Sequence, residues 1–200
     1  TNSSPCASRI VGRTSKMTSD ASVIQEDLPE DVPEIEVALR KMRQQPMDFT
    51  TLTAVVEEIK RDWLPAKIEQ VVQVDVHTLV FGLRTVSRSG WLYISWHPTA
   101  ARICLGSPPD RRPDTAAFSF GQTMSKLIKG QALMDIAMAP WERLVQLRVS
   151  IKPGERPTRE IMVEVMGRHS NVITCSPDGE ILCAAYQVGH KQTRVREVTI

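Results

Sequence analysis

The chain has 200 residues, 42% hydrophobic side chains and a formal net charge of +2. That composition allows a buried hydrophobic core, and the length indicates one domain of about 150 residues plus additional sequence. Because 25 basic and 23 acidic side chains nearly cancel, a uniformly basic surface is excluded and any contact with nucleic acid requires a local patch. The apolar runs are too short to span a membrane, so we expect a soluble protein without a membrane partner.

The four cysteines have none of the spacings of a zinc site, and no secretion-type segment precedes them. A reducing compartment is therefore favoured. Cys175 and Cys183 flank a turn at 176–179, and a short loop there would set Cys175 opposite Ile181 and Cys183 opposite Ile173. We predict buried thiols rather than a disulfide, and no metal or other cofactor.

The first 46 residues lack the pattern of a folded domain. Residues 1–22 contain nine Ser or Thr, three basic residues and one acid, a composition typical both of an organellar transit peptide and of an ordinary disordered tail. Residues 26–36 are acidic and contain two prolines, as in a solvated linker. We predict a disordered tail and linker over 1–46 and one folded domain over 47–200.

Two helices are predicted from apolar residues at helical spacing. The first covers about 50–63 and ends before Pro65, with its apolar face formed by Leu52, Val55, Val56, Ile59 and Trp63. The second covers about 116–128 and ends at Gly130, with its apolar face formed by Phe120, Met124, Leu127 and Ile128.

Short β-branched runs between polar breaks predict about eight strands. They cover 68–76, 78–84, 91–95, 101–105, 132–138, 144–151, 161–165 and a hairpin over 172–186. The proline-rich stretch 107–114 is predicted to be an irregular, mobile loop. Two helices with mostly antiparallel strands predict an α+β domain built on a sandwich-like pair of sheets.

No pattern indicates catalysis. The four histidines, at 77, 97, 169 and 190, are widely spaced and form no metal motif, and no phosphate-binding or nucleophile motif is present. Residues that are distant in sequence can still converge in space, which leaves catalysis as an alternative. We predict a protein that is not an enzyme and has no small-molecule substrate.

The turn Gly167-Arg168-His169-Ser170-Asn171 lies between two predicted strands. Gly167 permits a positive φ, and Arg168 can bind a phosphate with its planar fork of donors. His169 and Asn171 can form hydrogen bonds with phosphate, sugar or base edges. From these residues alone a plain structural turn is the favoured interpretation, and a phosphate-binding turn is the alternative.

A second polar turn, over residues 95–102, contains Trp96, His97 and Arg102. Trp96 offers a face for base stacking and Arg102 a phosphate contact. A tryptophan at a strand end is more often partly buried in the core, and that interpretation is favoured over stacking.

Three motifs occur in order along the chain. They are the opening helix Asp48 to Glu58, the strand end Leu92 to Ile103 with its Ser-x-His-Pro-x-x-x-Arg pattern, and the run Glu164 to Ile173 with Glu-x-Met-Gly-Arg-His-Ser-Asn. Together they resemble the NFACT N-terminal domain, found in bacterial RqcH (fibronectin-binding protein A) and animal NEMF. The first motif is most similar to cyanobacterial and plastid members, so the resemblance favours a chloroplast protein, with the cytoplasm as the alternative.

The resemblance implies a domain similar to the N-terminal domain of formamidopyrimidine DNA glycosylases, and a chain that is a fragment of a longer protein. It also implies tRNA and the large ribosomal subunit with a stalled nascent chain as partners. The complete factor in this family promotes template-free tailing of that chain.

The family's functional Asp-Arg pair corresponds to Glu142-Arg143, where the acid is one methylene longer. Many members also have an aspartate where this chain has Thr53. The resemblance therefore implies an RNA-facing surface that contains Glu142, Arg143, Arg168, His169, Asn171, His97 and Arg102.

Two other functions follow from the same resemblance. The older family name suggests a fibronectin-binding adhesion module, although no secretion signal supports that role. The related fold suggests a glycosylase, but those enzymes use a free N-terminal proline, whereas Pro46 is internal here.

Overall fold

The computed structural model describes residues 46–109 and 118–188. Helix α1 covers Phe49–Trp63 and helix α2 covers Ser119–Ile128. The strands are β1 Ala66–Asp75, β2 Thr78–Arg84, β3 Ser89–Ser95, β4 Arg102–Gly106, β5 Ala132–Met138, β6 Leu144–Ser150, β7 Arg159–Glu164, β8 Asn171–Cys175 and β9 Ile181–Ala184. Residues 1–45 of the predicted tail and linker, and 110–114 of the predicted loop, lie outside the described ranges.

Both predicted helices are confirmed, with bounds that differ by one to three residues. Asp48 caps α1, because its carboxylate accepts a hydrogen bond from the Thr51 amide at 2.7 Å. Four of the five residues of the predicted apolar face of α1 are buried, and Val55 is half-buried against the core. Gly130 has φ +85° just after α2, the left-handed conformation that ends many helices. Neither described helix is long and apolar enough to cross a membrane.

The strands form one antiparallel sheet in the order β4-β3-β2-β1-β5-β6-β7-β8-β9. The predicted α+β class with two helices is therefore confirmed. A sandwich-like pair of sheets was expected. The structure instead has one continuous sheet, whose two halves are β1–β4 and β5–β9. Only Ala66 with Leu133 and Lys67 with Ala132 pair across the junction.

The helices connect the two halves of the sheet. Helix α1 contacts β4 and β5, and α2 contacts β1 and β9. The Gly121 amide of α2 donates to the buried Gln73 Oε1 of β1 at 2.9 Å. Met124 Sδ, on the same helix, lies 3.0 Å from Thr174 Oγ1 of β8 and 3.5 Å from Cys183 Sγ of β9. The core is therefore shared by both halves.

The β8–β9 hairpin confirms part of the predicted register. Cys175 pairs with Ile181 as expected, but Cys183 pairs with Thr174 and not with Ile173. The prediction for Cys183 was wrong because the register shifts between Thr174 and Cys175. Both thiols are free; Cys183 is buried and Cys175 half-buried. Burial raises the pKa of the Cys183 thiol and keeps it protonated.

The last residue of α1 packs tightly against β3. A Cβ added to Gly90 would lie 2.2 Å from the Trp63 ring, so the absence of a side chain at 90 is what allows the contact. The Arg88 guanidinium lies 4.8 Å from the Trp63 ring centroid and donates to the Asp62 carbonyl. This contact fixes the C-terminal end of α1 on the sheet.

We expect Gly90→Ala to destabilise the domain by about 1–3 kcal/mol, the cost of overpacking against a rigid ring. Urea denaturation followed by circular dichroism measures the free energy of unfolding. Ser89→Ala, at the exposed neighbouring position, is the control and should change it by less than about 0.5 kcal/mol. Equal stability of the two variants would contradict the packing described here.

Candidate functional site

Three loops and the start of α1 meet in one region, which we call the motif surface. The loops are 96–101 between β3 and β4, 139–143 between β5 and β6, and 165–170 between β7 and β8. A Cβ added to Gly167 would lie 3.6 Å from the Pro98 carbonyl oxygen, so the first and third loops touch. The first loop belongs to one half of the sheet and the others to the second half.

Arg143 connects the start of α1 to the third loop. Its Nη1 donates to the Met47 carbonyl at 3.1 Å, across 96 positions of sequence. Its own carbonyl accepts a hydrogen bond from the Val165 amide at 2.9 Å. Hydrogen bonds from Thr51 lower the pKa of Asp48, and the positive charge of Arg143 adds to this shift. Arg143 is half-buried and positions the loops around it.

The residues before Arg143 lie on the surface. Glu142 is exposed, and its amide donates to the Ala139 carbonyl at 3.3 Å. Trp141 has φ +60° and is 89% exposed. Its ring is nearly parallel to that of Phe49, with a centroid distance of 6.0 Å and an interplanar angle of 14°. A tryptophan is therefore displayed beside the Glu142-Arg143 pair.

The third loop is a rigid turn. Gly167 has φ +61°, which confirms the predicted positive φ. The Met166 amide donates to Ser170 Oγ at 2.9 Å, and the Ser170 amide donates to the Gly167 carbonyl at 3.0 Å. Arg168 and His169 are exposed at its tip, where Arg168 Nε donates to His169 Nε2 at 3.1 Å. The turn therefore presents two side chains that can bind a phosphate.

Asn171 is not on this surface, which corrects the sequence-based prediction. Its side chain is 2% exposed. Nδ2 donates to the Tyr186 carbonyl at 2.8 Å, and Oδ1 accepts from the amides of Tyr186 at 3.0 Å and Val172 at 2.9 Å. These bonds attach the chain that follows β9 to the start of β8. Asn171 supports the turn and does not reach solvent.

The first loop carries His97, and Arg102 follows it as the first residue of β4. His97 is exposed, and its Nδ1 accepts a hydrogen bond from the Thr99 amide at 3.2 Å. The His97 ring also lies 5.2 Å from that of His77. Arg102 is half-buried, and its Nε donates to the Ala100 carbonyl at 3.1 Å. The motif surface thus includes His97, whereas the Arg102 side chain folds back on the loop and holds its backbone.

Trp96 is a core residue. It is 6% exposed, and its ring packs edge-on against Phe120 with a centroid distance of 5.5 Å. The favoured interpretation of Trp96 as a core residue is confirmed, and the stacking alternative was wrong, because the side chain packs against Phe120 of α2.

The structure brings together Glu142, Arg143, Arg168, His169 and His97 of the predicted set. Sequence reasoning gave no role to Trp141, although a tryptophan after a proline in a short loop beside charged residues was a usable signal. Within residues 46–109 and 118–188, no three His, Cys, Asp or Glu side chains are grouped to bind a metal.

Comparisons with known proteins agree with this architecture. The family model for NFACT N-terminal and middle domains matches residues 48–200. The Rqc2 homolog RqcH of Streptococcus pneumoniae serotype 2 is 27% identical over 145 residues, which cover 71% of this chain and 26% of that protein. The Rqc2 homolog RqcH of Bacillus subtilis is 25% identical over 121 residues, which cover 60% of this chain and 21% of that protein. This chain thus spans about a quarter of the length of these relatives.

Solved structures share the fold. The N-terminal domain of fibronectin-binding protein PavA from Streptococcus pneumoniae superposes with a TM-score of 0.67 and 26% identity, over 74% of this chain and 57% of that one. The N-terminal part of the fibronectin/fibrinogen-binding protein from Streptococcus suis has a TM-score of 0.67 at 23% identity, over 74% and 56% of the two chains. At 23% identity, the likeness to the S. suis protein shows only that the two chains share a fold.

We expect Asn171→Ala to destabilise the domain by about 2–4 kcal/mol, because it leaves the buried Val172 amide and two part-buried backbone groups of Tyr186 without partners. Urea denaturation measures this loss. His169→Ala, two residues away and exposed, is the control and should change the free energy of unfolding by less than about 0.5 kcal/mol. Wild-type stability of Asn171→Ala would refute the structural role.

Proposed function

The chain belongs to the NFACT family through its match over residues 48–200, and from this premise we propose that its motif surface binds tRNA within a ribosome quality control factor. In this proposal the whole factor acts on large ribosomal subunits with a stalled nascent chain and promotes C-terminal tailing of that chain. The domain contributes binding and orientation, not catalysis. The proposed compartment is the chloroplast, with the cytoplasm as the alternative.

One observation carries the proposal for this domain. The contact of Gly167 with Pro98 and the two hydrogen bonds of Arg143 assemble three separate sequence motifs into one surface. That surface presents exposed Arg168, His169 and His97. These are residue types that contact phosphate and sugar in protein–RNA complexes.

The side chains have different proposed roles. Arg168, at the tip of a rigid turn, binds a phosphate through its guanidinium. Arg143 is tied to Met47, so it sets the position of the helix start and contributes positive charge from behind the surface. Glu142 keeps the charge of the family's aspartate, and its longer side chain places the carboxylate further from the backbone. These side chains form a local patch of positive charge, which can attract RNA although the net charge of the chain is close to zero.

The alternative is a protein-binding module. The S. pneumoniae structural neighbour is named as a fibronectin-binding protein and shares 26% identity with this chain. The tRNA proposal is favoured because the residues that converge are polar and charged, and because the curated relatives are Rqc2 homologs.

We expect the 200-residue chain to bind labelled tRNA with an affinity that falls steeply between about 50 and 200 mM salt, because phosphate contacts release counterions. Arg168→Gln should weaken binding and reduce the slope of log K against log salt by about 1. Fluorescence anisotropy at several salt concentrations measures both.

Arg156→Gln is the matched control, since Arg156 is exposed in the loop at the other end of β6 and β7. It should leave tRNA binding unchanged. Salt-independent binding, or equal effects of the two variants, would refute a phosphate contact by Arg168. Binding of immobilised fibronectin without any binding of tRNA would favour the alternative function.

A further inference from the structure

We propose that Trp141 is a stacking platform for one unpaired nucleobase of the bound RNA. This inference rests on the proposed function and adds a binding residue that the sequence motifs do not assign. It predicts that the domain distinguishes single-stranded from double-helical segments of RNA, because only an unstacked base can lie on the indole ring.

The exposure of Trp141 is unusual for this residue type. Trp63 and Trp96 of the same domain are buried and Trp91 is half-buried, whereas Trp141 is 89% exposed. A large aromatic side chain in water forgoes the favourable burial that it would gain in the core. An isolated apolar side chain on a surface needs no explanation by itself, so the backbone and the neighbours of Trp141 carry the inference.

The backbone holds Trp141 in a disfavoured conformation. Its φ of +60° lies in the left-handed region, where bulky residues are rare. The conformation is kept by hydrogen bonds on either side, from the Ala139 amide to the Leu144 carbonyl at 3.0 Å and from the Glu142 amide to the Ala139 carbonyl at 3.3 Å. Glycine or asparagine would adopt this φ at lower cost, and such strain often marks a functional position.

The indole ring has an aromatic neighbour before any ligand binds. Phe49, the first residue of α1, lies nearly parallel to it at a centroid distance of 6.0 Å. Phe49 is half-buried and belongs to a helix whose start is tied to Arg143. A ring that already has a stacking neighbour loses less conformational entropy when a base stacks on it than a ring without one.

The neighbouring charges favour a base over other ligands at this position. Glu142, next to Trp141, repels a phosphate but can accept hydrogen bonds from the exocyclic amino group of a base. Arg168 and His169 lie in the adjacent loop, which is joined to Arg143 through Val165, and are available for a phosphate. An apolar protein partner would instead have to desolvate the Glu142 carboxylate.

The test uses the whole 200-residue chain and two RNA probes. One probe is a single strand of about 8 nucleotides, a length within the usual site size of single-strand-binding proteins. The other is a blunt duplex of the same length. The fluorescence of wild type minus that of Trp141→Phe reports on Trp141. We expect the single strand to quench this difference signal and the duplex to leave it unchanged. Affinities of both probes and of tRNA are measured by anisotropy.

Trp141→Asn removes the ring but keeps a residue that tolerates the left-handed backbone. We expect it to weaken binding of the single strand and of tRNA by about 5- to 150-fold, the effect of losing one stacked base. Trp141→Phe keeps a stacking ring and should retain most of the affinity. Trp141→Asn should unfold at the same or a higher temperature than wild type, so lost binding would not reflect lost structure.

The outcomes separate this inference from the tRNA proposal. Unchanged affinity in Trp141→Asn, or no quenching by a bound single strand, would overturn the stacking role while tRNA binding through Arg168 still stands. Quenching by the single strand without binding of tRNA would support the stacking role and refute the tRNA function. Failure to bind any RNA would overturn both.

Discussion

The architecture depends on a short junction between β1 and β5. Two residue pairs join the halves there, Ala66 with Leu133 and Lys67 with Ala132. Next to them, the Ile68 amide donates to Gln131 at 2.8 Å and the Gly130 amide donates to Ile68 at 2.7 Å. Because β1 and β5 pair only at their starts, the two halves share a short ladder, and both helices contact strands of each half or of the junction between them. The motif surface depends on this arrangement, since its first loop belongs to one half and the other two to the second.

Residues of the three motifs divide into those that build the surface and those that are presented on it. Asn171, Ser170 and Gly167 define the path of the third loop, through partly buried hydrogen bonds and a positive φ. Arg168 and His169 occupy the exposed tip that this path creates. Arg143 combines both roles, because its side chain is held by Met47 while its charge remains near the surface. A motif that looks like a set of ligand contacts is thus partly a folding element.

Elements with short-range signals were predicted well from the sequence. Helix α1 follows from apolar spacing and Pro65, and β2 and β5 were predicted with their observed bounds. The register of β8 and β9 was missed by one residue at Cys183, because a bulge within a strand leaves no clear mark in the sequence. The NFACT family was recognisable because its motifs combine special backbone positions with polar side chains.

The sequence by itself determined the α+β class, the helix faces, the turn at Gly167 and the family, because periodicity, capping and turn chemistry act between residues that are close along the chain. Only the tertiary structure decided that Asn171 and Trp96 are buried, that Trp141 is exposed, and that loops around Pro98, Arg143 and Gly167 form one surface. Those outcomes depend on contacts such as that of Arg143 with Met47, 96 positions away. Burial and proximity at that range are set by how the two halves of the sheet pack around a shared core, and no local pattern encodes that packing.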